Sequence, residues 1–373
     1  MELGLIIGVG LTLAYANGSN DNIKGVATLI GSQTTGYRSA LVWATLTTAL
    51  GSVGAIFLAG ALLKAFTGKG IVSAAAVAKR AFPLSVALAA GATVLLATWL
   101  GFPISTTHAL LGALVGAGLS EGATVDGTRL LATFVVPLLV SPLLAIVLAA
   151  LLYRLFRFLR LRWRVEQETA IYLDREIVAV VPGNPGREAA LRAIALPTIA
   201  SGTAVHETAV RYRGTLLGFN ARKLLDTLHF LSAGLVSFAR GLNDTPKIAA
   251  IFVAGGALGG EVSLLAVGLG IALGGWWSAK RVAETMAYRV TEMNAGQGFS
   301  ANFVTSVLVI VASRLGLPVS TTHVSVGALF GIGAATRQAR GSVIGQILLA
   351  WVITLPVAGL LGASIDSVLS RLL

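Results

Sequence analysis

Gly101-Phe-Pro-Ile-Ser-Thr-Thr-His108 is repeated as Gly316-Leu-Pro-Val-Ser-Thr-Thr-His323, and both copies run on into a glycine-rich apolar tail. A second repeated element lies upstream of each. Ala16-Asn-Gly-Ser-Asn-Asp-Asn-Ile-Lys-Gly25 returns as Ala239-Arg-Gly-Leu-Asn-Asp-Thr-Pro-Lys-Ile248, with Ala, Gly, Asn, Asp and Lys at the same spacing. Patterns that recur in the same order mark an internal duplication. The separations agree, 88 residues from Asn20 to His108 and 80 from Asn243 to His323. One unit therefore spans residues 1–152 and the other 227–373, with 153–226 as a linker. With an odd number of crossings in each, the second unit enters the membrane upside down, and equivalent motifs meet near the midplane.

The surroundings of these motifs are those of a lipid-embedded chain. Of the 373 residues, 55% are hydrophobic and 12% charged, against about a quarter charged in soluble domains. The mean hydropathy is +0.82, which excludes an ordinary soluble enzyme. Charge-free runs at 3–20, 39–63, 81–120, 130–153, 262–279, 293–313, 315–336 and 341–365 match the roughly 17–25 residues that cross a hydrocarbon core. The expected fold is an all-α polytopic membrane protein with broken helices and re-entrant hairpins, some 10–12 helical elements in all. A multi-pass protein of the cell membrane follows, with the lipid bilayer as its surroundings. Cysteine is absent, so disulfide frameworks, thiolate zinc sites and cysteine nucleophiles are excluded. Abundant small residues suit a homodimer without naming an interface.

The net charge of +12 is concentrated. Nineteen of the 44 charged residues, twelve basic and seven acidic, fall between Tyr153 and Asp226. This stretch opens on alternating arginines and large apolar residues from Tyr153 to Arg164, as on a helix lying along a headgroup surface. The positive-inside tendency places it in the cytoplasm, and no nucleic-acid partner is expected.

Asn20, Asp21 and Lys24, like Asn243, Asp244 and Lys247, sit between apolar segments, where a charge costs at least a few kcal/mol unless paired or solvated. Asp21 and Lys24, or Asp244 and Lys247, are three residues apart and can pair on one helix face. Such a pair either locks helix packing or serves transport, and its recurrence in both halves favours transport. Asn17 and Gly18 in the first copy, and Gly241 and Pro246 in the second, are suited to interrupting a helix and freeing backbone groups toward a cavity. Ser105, Thr106 and Thr107, and Ser320, Thr321 and Thr322, follow Gly-x-Pro as hairpin tips. Their hydroxyls and the helix start that follows suit a tetrahedral oxyanion, or equally a cation. His108 and His323 suit either a packing hydrogen bond or a proton-coupling role. A hydrolase is disfavoured, because no Gly-x-Ser-x-Gly elbow is present and the site occurs twice. With four His and no His-Glu-x-x-His, no built-in metal centre is expected.

At these residues the chain resembles the inorganic phosphate transporter (PiT) family of secondary transporters, whose halves carry Gly-Ala-Asn-Asp-type signatures and Pro-x-Ser-x-Thr-His-type hairpins. Arg281-Val-Ala-Glu-Thr and Gly298-Phe-Ser-Ala-Asn302 are similar to the family's second half. The resemblance covers both repeats and leaves the linker unmatched. It implies a secondary active transporter, not an enzyme, that imports inorganic phosphate by alternating access. It implies no cofactor beyond a sodium ion or proton as the coupling ion. Asn20 and Asn243, the six hairpin hydroxyls and Lys24 and Lys247 would contact phosphate. Asp21 and Asp244 would hold the proton or the sodium. Two departures weigh against sodium: Lys24 and Lys247 replace the family's usual Asn, and Asn302 stands where an acidic residue is frequent. A permease for sulfate or another tetrahedral oxyanion, and an anion channel, are the competing expectations.

Overall fold

The computed structural model describes residues 2–68, 70–173, 176–184, 207–216, 218–289, 293–339 and 341–373. Among them ten helices have fifteen residues or more. Five precede the linker, α1 (Glu2–Asp21), α2 (Tyr37–Leu58), α3 (Ala81–Trp99), α4 (Thr106–Ser120) and α5 (Val136–Arg162); five follow it, α6 (Ala221–Ala254), α7 (Gly260–Ser278), α8 (Ala295–Arg314), α9 (Thr321–Thr336) and α10 (Gly341–Leu372). The same succession of five helices in each half agrees with an internal duplication. Six helices are apolar and long enough to cross a membrane, namely α2, α3, α5, α7, α8 and α10. The signature-bearing α1 and α6 are not among them, because their polar motifs lower their hydropathy.

The two halves interlock. α1 packs on α3 of its own half and α7 of the other, and α6 packs in the matching way on α8 and α2. The hairpin helices pack most extensively across the halves, α4 against α10 and α9 against α5, and each also touches the preceding helix of its own half, α3 or α8. Glycines set these crossings. A Cβ at Gly112 or Gly116 would press on the backbone of Leu355 or Gly359, and one at Gly327 or Gly331 on that of Pro142 or Ile146. This is the small-xxx-small contact of membrane helices. Gly116→Leu is expected to destabilise the protein by about 1–3 kcal/mol or more, read as a lower melting temperature in detergent. Large apolar side chains, among them Leu50, Phe57, Leu139, Val352 and Leu360, stand on the outer faces of α2, α5 and α10, as lipid contact requires.

Two expectations need correction. α1 runs unbroken through Asn17 and Gly18, and the chain departs from the α-helix only at the 3-10 turn Asn22–Gly25, before a short helix Ala27–Gly31. In the second copy there is no break, since α6 continues through Gly241 and Pro246 to Ala254. The glycines serve close packing instead. Gly18 lies against the carbonyl of Ile271 in α7, and Gly241 against that of Thr48 in α2. Pro246 removes one helical hydrogen bond, leaving the Leu242 carbonyl without its usual i+4 donor.

The arginine-rich stretch from Tyr153 is likewise no separate surface helix. It is the end of α5, continuous to Arg162 because neither Gly nor Pro interrupts it. The linker then adds a small antiparallel sheet to an otherwise helical protein. Strands β1 (Glu166–Leu173), β2 (Glu176–Pro182) and β3 (Glu207–Arg213) pair in the order β2-β1-β3, with Glu168 opposite Arg211 and Ala170 opposite Ala209. Linker residues 174–175, 185–206 and 217 lie outside the described residues. The sheet is tied to the membrane domain by Tyr212, whose hydroxyl donates to Asn294 Oδ1 at 2.7 Å. Asn294 caps α8 in a capping box with Gln297. Burial, ahead of its hydrogen-bonding and charged neighbours, pushes the Tyr212 phenol up to about 12, so this tie is insensitive to pH across the neutral range. Tyr212→Phe is expected to cost about 1–3 kcal/mol, because Asn294 loses a buried partner. Faster proteolysis of the linker would report it.

Candidate functional site

Each hairpin tip is built the same way. Gly101 (φ +76°) and Gly316 (φ +71°) take left-handed backbone angles that end α3 and α8. The next amides return to the helix, from Phe102 to the Ala97 carbonyl and from Leu317 to that of Ala312, both at 2.9 Å. Ser105 and Ser320 then cap α4 and α9, accepting at 3.2 Å from the amides of His108 and His323. Capping engages both serine hydroxyls, and the threonines face the signature helices.

In the first half, Asp21 Oδ2 accepts from Asn17 Nδ2 at 2.8 Å and Thr106 Oγ1 at 3.0 Å, while Oδ1 pairs with Lys24. The Lys24 ammonium also donates to Asn20 Oδ1 (2.7 Å), the Ile104 carbonyl (2.7 Å) and Thr322 Oγ1 (2.8 Å). In the second half, Asp244 Oδ1 accepts from Lys247 (3.3 Å) and Asn243 Nδ2 (3.2 Å), with the Thr321 hydroxyl at 3.4 Å. Lys247 also donates to the Val319 carbonyl and to Thr107 Oγ1, each at 2.7 Å. Asn20 donates to Thr98 Oγ1 and the Phe102 carbonyl, and Asn243 accepts from Ser313, so each asparagine ties its helix to the hairpin beside it. None of the four charged side chains exceeds 4% exposure.

Lys24 of one half thus reaches Thr322 of the other, and Lys247 reaches Thr107. Each lysine bonds to its own aspartate, a carbonyl of its own hairpin and the second threonine of the opposite hairpin. The donor-free oxygens around Lys24, from a carboxylate, an amide and a peptide, together with a hydroxyl, are the set that suits a small hard cation. The ammonium fills that position. Sequence alone paired each lysine with its aspartate; the contact across the halves is new.

The phosphate transporter family matches residues 17–362. This chain belongs to that family. "Inorganic phosphate transporter 2-1, chloroplastic" of Arabidopsis thaliana is 28% identical over 98% of this chain and 71% of its own. The "Probable low-affinity inorganic phosphate transporter" of Rhizobium meliloti is 29% identical over 96% of this chain and 93% of its own. A solved structure titled "The sodium-dependent phosphate transporter" shares the fold with a TM-score of 0.76, covering 100% of both chains at 24% identity.

Other polar residues of this family member find places that sequence reasoning did not foresee. The rings of His108 and His323 meet across the halves with centroids 4.4 Å apart, and His323 stacks on Trp351 at 3.7 Å. Both histidines line an apolar cavity of about 620 Å³ between α4, α5, α9 and α10. Asn302 donates to Thr28 Oγ1, which also contacts His229, so it belongs to a polar cluster around Thr28. Arg240, two residues before Leu242 in the second signature, is fully buried and donates through Nη2 to Asn22 Oδ1 (3.0 Å) and Thr48 Oγ1 (3.3 Å). The only signal for it was its position inside a repeated motif, opposite an uncharged Asn17 in the first copy.

Proposed function

We propose that this protein imports inorganic phosphate across the cell membrane by alternating access, coupled to protons in preference to sodium. The observation that carries this reading is the pair of buried lysines, each joining the Asp of its own half to the hairpin of the other. Phosphate would be held between the hairpins by Thr106, Thr107, Thr321 and Thr322, by the amides at the starts of α4 and α9, and by Asn20 and Asn243. Ser105 and Ser320 would support the tips as caps. Asp21 and Asp244 would carry the coupling proton, and the lysines would offset their charge toward an incoming anion. The carboxylates by themselves would repel phosphate; that conflict is the physical source of coupling. Rocking of one half against the other would break and remake the Lys24–Thr322 and Lys247–Thr107 contacts on opposite sides of the site. Sodium fits less well, because the oxygens around Lys24 already hold an ammonium.

Counterflow tests the substrate. Proteoliposomes loaded with unlabelled phosphate are expected to exchange it for external labelled phosphate, with arsenate competing well and sulfate poorly. Equal competition by sulfate at every pH would favour a general oxyanion permease. Conduction without counterflow would favour a channel.

A further inference from the structure

α5 is longer than the bilayer needs. Its 27 residues extend about 40 Å, against a hydrocarbon core of about 30 Å, and its charges begin only at Arg154. The last turns, with Arg154, Arg157, Arg160 and Arg162, therefore stand at the level of the lipid headgroups. Among the described residues no carboxylate pairs with any of these four. Their surroundings differ. Arg157 and Arg160 line a cavity of about 230 Å³, whereas Arg154 and Arg162 do not.

The walls of that cavity are apolar and come from both halves. Phe156 of α5, Leu228 of α6 and Phe299 of α8 contribute to them, and the two phenyl rings stack with centroids 5.5 Å apart. Tyr153, Phe156, Arg157 and Arg160 follow the spacing of a single helix face, so the guanidiniums rise from the same side of α5 as the aromatic rings. Trp163 lines the outer end, an aromatic side chain of the kind that marks a membrane boundary. Arg160 gives one N–H to the Val165 carbonyl at 3.3 Å, which holds its guanidinium over the cavity. Tyr212 of β3 lines the cavity from the linker, so the first half, the linker and the second half meet around it. A soluble anion would leave the apolar walls uncovered, and an uncharged lipid would leave the guanidiniums without a partner. A molecule with a hydrocarbon chain and an anionic head satisfies both, and basic pockets between membrane helices hold such headgroups.

We propose that this cavity binds one anionic phospholipid of the bilayer, with an acyl chain along Phe156, Leu228 and Phe299 and the phosphodiester held by Arg157 and Arg160. The lipid joins the end of α5 to the starts of α6 and α8 and to the linker sheet. It lies apart from the hairpin tips and does not depend on which solute the protein carries.

Thermal unfolding of the full-length protein in detergent at high salt, which screens diffuse attraction, tests this with phosphatidylglycerol and phosphatidylcholine as probes. Phosphatidylglycerol is expected to raise the melting temperature saturably, and phosphatidylcholine hardly to change it. Arg157→Gln with Arg160→Gln is expected to raise the half-effective phosphatidylglycerol concentration about tenfold or more. Arg154→Gln with Arg162→Gln, the same loss of charge outside the cavity, is expected to leave it nearly unchanged. Trp163 fluorescence, taken as the difference between the wild type and Trp163→Phe, is expected to be quenched by phosphatidylglycerol with brominated acyl chains, and excess unlabelled phosphatidylcholine is expected not to reverse this. Equal stabilisation by the two lipids would overturn the inference. So would equal weakening in the two double variants, or a Trp163 signal that the brominated lipid leaves unchanged. If Arg157→Gln with Arg160→Gln does not fold, the lipid comparison and the Trp163 quenching decide the matter by the same criteria.

Discussion

Asp21→Asn and Asp244→Asn are each expected to abolish concentrative phosphate uptake. Each substitution removes the one carboxylate that, among the described residues, is bonded to that buried lysine. Breaking such a pair costs about 3–5 kcal/mol, which corresponds to about 100-fold to several-thousand-fold in an equilibrium. The fold survives, because the amide keeps the size of the carboxylate and can still accept from Thr106 or Thr321. Replacing an ionised carboxylate by an amide makes the buried site more positive, so an anion is held more tightly and released less readily. Binding is therefore expected to persist while uptake is lost. Labelled uptake and thermal stabilisation, measured on the same preparations, separate the two. Wild-type uptake in both variants would show that the aspartates are packing elements.

Replacing both lysines changes the cation requirement. In Lys24→Asn with Lys247→Asn, uptake in sodium-free buffer is expected to fall about 100-fold or more, because two carboxylates are left unpaired in the membrane interior. Added sodium is expected to restore a measurable part of it. The oxygens of Asn20, Asp21, Ile104 and Thr322 that now hold the Lys24 ammonium would then be free for a metal cation, of the kind that carbonyls and acids bind in other transporters. The wild type should show no such response. A double variant indifferent to sodium would mean that these oxygens are arranged for the ammonium alone.

Much of the site was legible in the chain because it is written twice. Asn20, Asp21 and Lys24 recur as Asn243, Asp244 and Lys247, and the three-residue spacing of Asp and Lys predicts the ion pairs that form. The hairpin tips followed from Gly-x-Pro and Ser-Thr-Thr, whereas the capping role of Ser105 and Ser320 did not, because sequence grouped their hydroxyls with those of the threonines. Backbone conformation was less legible. Gly18 and Gly241 suggested broken helices, but a glycine in a membrane helix is read equally as an interruption or as a close contact, and here each meets a neighbouring carbonyl. The reach of Lys24 to Thr322 was not legible, since periodicity within one half says nothing about how two halves interlock. Arg240 was overlooked for a related reason: repetition drew attention to what the copies share, whereas this residue is where they differ.

Phosphate uptake by wild-type proteoliposomes in buffers free of sodium, with a proton gradient imposed inward, bears most directly on the claim that Lys24 and Lys247 stand in for coupling cations. The prediction is concentrative uptake that collapses when the proton gradient is dissipated and is unchanged when sodium is added. Uptake that requires a sodium gradient and ignores the proton gradient would contradict it.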